Sequence, residues 1–474
     1  MNKHSPGESS SRKLSFNRSV SVAADADGLS SHGGAVLLRE VADKLGTTRA
    51  LALALRDERN ADLIEHSVEE LLRAAIFLPA LGRGDQDDID HLRGDKVLRV
   101  ALADGRGASV VDDALPSQPT LSRFQRMLAE DDNRAVLRRS LLDGVIRRRH
   151  TQREAVPQRA VIDVDSFPVE VHGHQYGSAY NGHYHVDMYH PLLIAMGDTG
   201  EIVDARLRGG TVHTADGVLD DLLPLLDRIE GGVLCQQAVV RMDAGFPVEK
   251  TLAALEQRGT NYLARVRNNS VLDDMAAPLA KRPVGRPPED PRLWTHELKY
   301  QAGPWSRERR VVLVVQEVTG ELFPRHFWLV TNFTEQEMSG DELLALYRKR
   351  GHAEARFGDF MSTLAPALSS TIRLRTHYRG EEPKKRELRV RDPRKTNEVI
   401  LLMHMLAANL MHAIRILVDD DSIGSLRRVG ERILRVAARV VVSARRVRIT
   451  FDGIAGHLWD ALARRLRRPA AVVA

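Results

Sequence analysis

The chain has 474 residues, enough for two or three domains around a sizeable buried core. A single cysteine, Cys235, excludes a disulfide framework and any zinc site built from cysteines, and suits a reducing cytoplasm. The net charge of +5 is small but uneven: residues 427–468 carry twelve Arg against three acids, and residues 373–395 ten Lys/Arg against four. Such concentrated cations fit a phosphate-rich partner, although solvated helix faces have the same composition.

In chain order, residues 1–34 are polar, include nine Ser and lack the apolar core of a signal peptide, so a disordered arm is expected. Residues 35–156 read as a helical N-terminal domain and a candidate DNA-binding region. "AVLLREVADKLG" and "SVEELLRAAIFLPALG" space apolar residues helically and end at Gly, and one or two capped helices follow across 117–149. At 157 the pattern changes to "RAVIDVD", a short strand, then an expected hairpin across Gly197-Asp198-Thr199-Gly200. A helix from Thr214, a strand ending at Asp243, a helix from Pro247 to Gly259 and a strand over 261–267 complete the series. The order β, β, β, α, β, α, β predicts an α/β fold with a mixed sheet and helices packed against it. Residues 268–340, in which strand-like runs follow the Pro-rich "KRPVGRPPEDP" (281–291), read as a strand-rich insertion. Helical signals return at 341–365, where Gly358 is a weak point, and residues 366–474 read as a basic, mainly helical C-terminal region. The apolar run 399–418 approaches membrane-span length but contains two His, Asn409 and Arg415. A buried helix is expected there, with no membrane partner.

Three acids stand out. Alternation along "AVIDVD" puts Asp163 and Asp165 on one face of a strand, near its C-terminal end, where a carboxylate faces a crevice. Asp243 follows "VVRM" directly, in the same placement. A strand-end Asp is also the ordinary former of a turn. In "YRKRGHAEARFGDF", Tyr347, Arg350 and Glu354 fall at helical spacing on one face, and Arg350 and Glu354 are equally spaced for a surface ion pair.

Together these residues resemble the DDE transposases of bacterial insertion sequences, in the cut-and-paste branch with a Tyr-x2-Arg-x3-Glu-x6-Lys signature. "YRKRGHAEARFGDFM" supplies Tyr347, Arg350 and Glu354 at that spacing, "VIDVDSF" resembles the first-Asp strand, and "VRMDAGF" the second-Asp motif. Further likeness lies in 66–95, 117–124 and "LRGGTVHTADG" (207–217). The signature Lys falls at Met361, a departure that leaves open a decayed copy acting only as a DNA-binding protein.

The resemblance implies a ribonuclease-H-like core over 157–267 and 341–365, interrupted by the strand-rich insertion. It also implies Asp165, Asp243 and Glu354 as catalytic and metal-binding acids. The cofactor would be Mg²⁺ or Mn²⁺, two ions, which suit oxygen ligands and in-line phosphodiester chemistry. Asp165, followed by Ser166, matches the family pattern better than Asp163, which is the candidate supporting acid. Tyr347, Arg350, Arg356 and Arg208 are the expected DNA contacts. Expected partners are double-stranded DNA, as transposon ends and target, and a second copy in a synaptic homodimer. The expected setting is the bacterial cytoplasm, on the nucleoid when bound. An alternative reading uses the His-rich loop 172–190, whose His172-x-His174 and His183-x-His185 pairs have metal-ligand spacing, for a metal-dependent nuclease or phosphoesterase.

Overall fold

The computed structural model describes residues 27–171, 175–182, 184–282, 290–369, 393–443, 445–451 and 453–466, with short pieces before residue 23. A two-residue strand β1 (Leu29–Ser30) precedes helices α1 (Ala35–Leu45), α2 (Val68–Ala80), α3 (Gln118–Leu128) and α4 (Asp131–Gln152). Then come β2 (Arg159–Ser166), β3 (Leu192–Met196), β4 (Ile202–Arg206), α5 (Val218–Ile229), β5 (Gln237–Met242), α6 (Glu249–Arg258) and β6 (Asn261–Val266). Strands β7 (Arg292–Tyr300), β8 (Arg309–Glu317) and β9 (Arg325–Thr331) follow, then α7 (Gly340–Arg348), α8 (Arg350–Leu364) and α9 (Pro393–Val418). The described C-terminal part ends with β10 (Ala438–Ser443), β11 (Arg446–Phe451) and α10 (Gly453–Leu466).

The main sheet has eight strands in the order β7-β8-β9-β6-β5-β2-β3-β4. Strand β2 is parallel to β5 and antiparallel to β3; β3 and β4 form the expected hairpin, and β5 pairs in parallel with β6. This is the mixed sheet expected from the element order, in the ribonuclease-H-like arrangement that the resemblance implies. The strands of residues 268–340 extend the same sheet, through the antiparallel pairing of β9 with β6. Strand alternation explains how the sheet is covered. Ala160, Ile162 and Val164 of β2 face one core with Leu222 and Leu226 of α5 and Leu252 of α6, while Val161 packs on the opposite side with Leu343 and Leu344 of α7.

The helical half packs around α9, which is long and apolar enough to cross a membrane but is largely buried inside the protein. Its polar residues have local partners. The Asn409 side chain accepts from Ile202 N at 2.8 Å and donates to Ile202 O at 2.7 Å, satisfying an edge-strand backbone of β4. His404 contacts Ile400 O through Nδ1, and burial pushes its pKa down to about 4, so it is neutral at physiological pH. A buried pair, Arg148 Nε to Glu201 Oε1 at 2.5 Å, fastens α4 to the β3–β4 hairpin.

Several local expectations change. Residues 341–365 form two helices rather than one, with Lys349 at the joint, so Tyr347 is separated from Arg350 and Glu354. Helix α8 runs unbroken through Gly358 to Leu364, because the exposed Gly358 leaves the helical ladder intact. Helix α5 starts at Val218, from Gly217 in the left-handed region at φ 71°, not at Thr214. Part of the expected arm is ordered: Leu29 and Ser30 pair with Arg439 and Ala438 of β10. The C-terminal region thus contains a β-ribbon as well as helices.

Candidate functional site

The site is built on neighbouring strand ends of the main sheet and on the helix pair that crosses them. Asp163 and Arg241 are direct partners in the parallel β2–β5 register, on the same face. The Arg241 guanidinium donates to both Asp163 oxygens, at 2.6 and 2.8 Å, with both side chains 1% exposed. Its remaining arm donates to Leu346 O at 2.6 Å, tying α7 to the sheet. Asp163 is therefore a structural acid whose two oxygens are already committed.

Asp165, two residues on, accepts from its neighbour Ser166 N at 2.8 Å and from Arg350 Nη2 at 2.9 Å. Burial pushes its pKa up; Arg350 pulls it down, and the charge of Asp243 pushes it up again, to about 6. Asp243 lies just past β5, and its Oδ1 accepts from Gly245 N at 2.7 Å, so it does form the turn that a strand-end Asp is expected to form. A Cβ at Gly245 would meet the Thr214 side chain at 2.9 Å, so glycine is what lets this turn lie against the 207–217 loop. The charge of Asp243 is felt by Asp165, Tyr184, His190, Tyr347 and Arg350, which marks it as central to the cluster.

Glu354 sits on the first turns of α8 with its side chain 65% exposed, and its Oε1 is 3.7 Å from Arg350 Nε. Arg350 thus stands between Asp165 and Glu354, 4% exposed, with a buried Nη1 that has no hydrogen-bond partner. Tyr347 is half-buried beside Phe327, with ring centroids 6.4 Å apart, and burial pushes its pKa up.

Two expected DNA contacts are placed elsewhere. Arg208 is buried and donates to the backbone oxygens of His190, Thr214 and Asp216, at 3.0, 2.9 and 2.9 Å. It braces its own loop, and burial pulls its pKa down to about 10. Arg356 donates to Gly197 O at 3.2 Å and Asp198 O at 2.7 Å, so it clips α8 to the β3–β4 hairpin. In the free chain both guanidiniums donate to backbone carbonyls. Met361 packs, partly buried, against the helical core.

Of the histidine pairs, His172, His174 and His183 lie outside the described residues. His190 is buried with Nδ1 3.2 Å from Val212 O, and burial pulls its pKa down. Among the described residues no three His, Cys, Asp or Glu side chains converge closely enough to form a ready-made metal site.

Sequence reasoning did not assign a role to Arg241. An arginine inside the apolar run "VVRM" was the available signal, because a buried guanidinium requires a carboxylate partner.

The strand order and pairing define a ribonuclease-H-like fold, with Asp165 and Asp243 at the ends of adjacent strands. The chain belongs to the transposase DDE domain group 1 family, which matches residues 12–372. It is a DDE transposase, a class that works with divalent metal ions. No curated protein matches the chain. Among solved structures it is similar to a piggyBac transposase synaptic complex with hairpin DNA, determined by cryo-EM. The identity is 11% and the TM-score 0.41, over 92% of this chain and 83% of that chain.

Proposed function

We propose that this protein is the transposase of a bacterial insertion sequence, in the branch with the Tyr-Arg-Glu-Lys signature. In this reading it binds terminal inverted repeats, cleaves the DNA ends and joins the 3′ ends to target DNA. The observation that carries it is the 2.9 Å contact from Arg350 to Asp165, which brings α8 onto a strand end 185 residues away in sequence.

Asp165, Asp243 and Glu354 are the proposed acids. The donor set is all oxygen, and burial first, with the charge of Asp243 adding to it, raises the pKa of Asp165. When bound, two Mg²⁺ or Mn²⁺ ions would activate the attacking oxygen and stabilise the leaving one. The chain's own residues then do the positioning. Asp163 and Arg241 hold α7 against the sheet, Arg350 orients Asp165, and Tyr347 with Arg350 borders the path of the scissile strand. The helical region 35–156 is assigned to end binding, synapsis to a homodimer, and the setting to the bacterial cytoplasm and nucleoid.

The test is Mg²⁺-dependent cleavage of the element's own end DNA by wild type and by Asp165→Ala, Asp243→Ala and Glu354→Ala. Wild type should cut and all three variants should fail. Full activity in any one variant removes that residue from the mechanism.

A further inference from the structure

The β10–β11 ribbon lies beyond residue 372, where the family match ends. Its two faces differ sharply. On the inner face, Ala438 pairs with Phe451 and Val440 with Ile449, all packed on the helical core, and Phe451 stacks on Trp459 of α10 at 4.0 Å. On the outer face, Arg439 pairs with Thr450, Val441 with Arg448, and Ser443 with Arg446, and all six residues are exposed. From 432 to 451 the chain carries six Arg and no acid. Among the described residues Arg439, Arg446 and Arg448 form no ion pair, whereas Arg427 nearby is held by Glu431 at 2.8 Å.

An ordered strand pair that displays unpaired guanidiniums needs an anionic partner or solvent. The backing makes the ribbon rigid, so its arginines are held in a fixed row: Arg446 and Arg448 are about 7 Å apart along the strand at the usual rise. A two-stranded ribbon is of a size that the major groove of duplex DNA admits. The outer face has no aromatic residue and only Val441 as apolar surface, which is poor for an anionic membrane, where burial of an apolar face supplies much of the affinity.

We propose that the outer face of the β10–β11 ribbon is a docking surface for duplex DNA, with Arg439, Arg446 and Arg448 contacting phosphates. This rests on the transposase reading for the identity of the polyanion. The link to the catalytic helix is short. Asp359 of α8 accepts from Leu426 N at 2.5 Å and Arg427 N at 3.2 Å, so the segment leading into the ribbon is tied to the helix that carries Glu354.

The test uses the full chain and fluorescence anisotropy with a random-sequence duplex, titrated across salt. The triple variant Arg439→Gln/Arg446→Gln/Arg448→Gln should bind more weakly. Its log affinity against log salt should be shallower by about three, roughly one for each phosphate no longer neutralised. The triple Lys variant should restore the wild-type slope, which separates an effect of charge from an effect on folding. An unchanged slope in the Gln variant overturns the proposal, as does binding of anionic vesicles through these arginines with no effect on DNA. Cleavage of end DNA is scored in parallel: no cleavage together with a shallower slope fails the transposase reading alone, and cleavage with an unchanged slope fails the ribbon alone.

Discussion

Replacing Asp163 with Ala tests whether the two aspartates of β2 have opposite roles. Asp163 and Arg241 are each 1% exposed and joined by two hydrogen bonds. Removing one partner of such a pair leaves an uncompensated buried charge, at a cost of about 3–5 kcal/mol. If the 474 residues unfold as one unit, the unfolding entropy is roughly 1 kcal/mol per degree, so Tm should fall by about 3–5 °C. The fall is larger if the sheet melts separately. Asp165→Ala should behave differently. Its carboxyl is raised to about 6 in the folded state, so the native state favours the proton. The stability this group contributes is present below its ordinary pKa near 3.8 and is lost as pH rises through about 6. At pH 8 the ionised carboxylate is therefore a net penalty of about 3 kcal/mol with the attraction of Arg350 already included, and the packing lost with the side chain offsets its removal. Differential scanning calorimetry at pH 8 should show a clear drop for Asp163→Ala and a small change for Asp165→Ala. The double variant Asp163→Leu/Arg241→Met should recover most of the stability. A Tm for Asp163→Ala within about 1 °C of wild type would refute the structural role of this pair.

Three further outcomes follow from the same geometry. Metal affinity, read by Mn²⁺ titration, should weaken roughly tenfold per pH unit below about 6, where Asp165 takes up a proton, and should be flat in that range if Asp165 is not a ligand. Glu354→Ala should leave stability within about 0.5 kcal/mol of wild type, because its side chain is 65% exposed, while cleavage falls to background. Arg356→Ala should cost about 1–3 kcal/mol by freeing the carbonyls of Gly197 and Asp198, with the salt dependence of DNA binding unchanged. A shallower salt slope in that variant would return Arg356 to the DNA contacts.

The strands and helices of the core were legible because alternation and helical spacing are local properties of the chain. Asp165, Asp243 and Glu354 could be picked out as candidate acids because each belongs to a short motif. The division of labour between Asp163 and Asp165 could not, since both share one strand face. It depends on which neighbouring strand places an arginine in register with Asp163. Arg208 and Arg356 show a related limit. An arginine in a motif looks the same whether it faces a phosphate or a backbone carbonyl, and only the fold brings Thr214, Asp216, Gly197 and Asp198 within reach. The β10–β11 ribbon was hidden by its own charge: in "ARVVVSARRVRITF" the arginines dominate the composition, and the two-residue period shows only once the strands are paired.

The break at Lys349 gives the site its asymmetry. Arg241 holds the carbonyl of Leu346, which fixes the end of α7 against the sheet. The chain then turns at Lys349, and α8 begins with Arg350 directed inward to Asp165. Four residues later Glu354 faces largely outward. Side-chain exposure thus rises from 10% at Asp165 to 65% at Glu354. A site closed around a small substrate excludes water from the groups that act on it, which strengthens their charges. A long polymer cannot be enclosed, so one wall of its site must stay open. The gradient from Asp165 to Glu354 fits that case. It favours a strand laid along α8 over a small phosphoester held in a closed pocket.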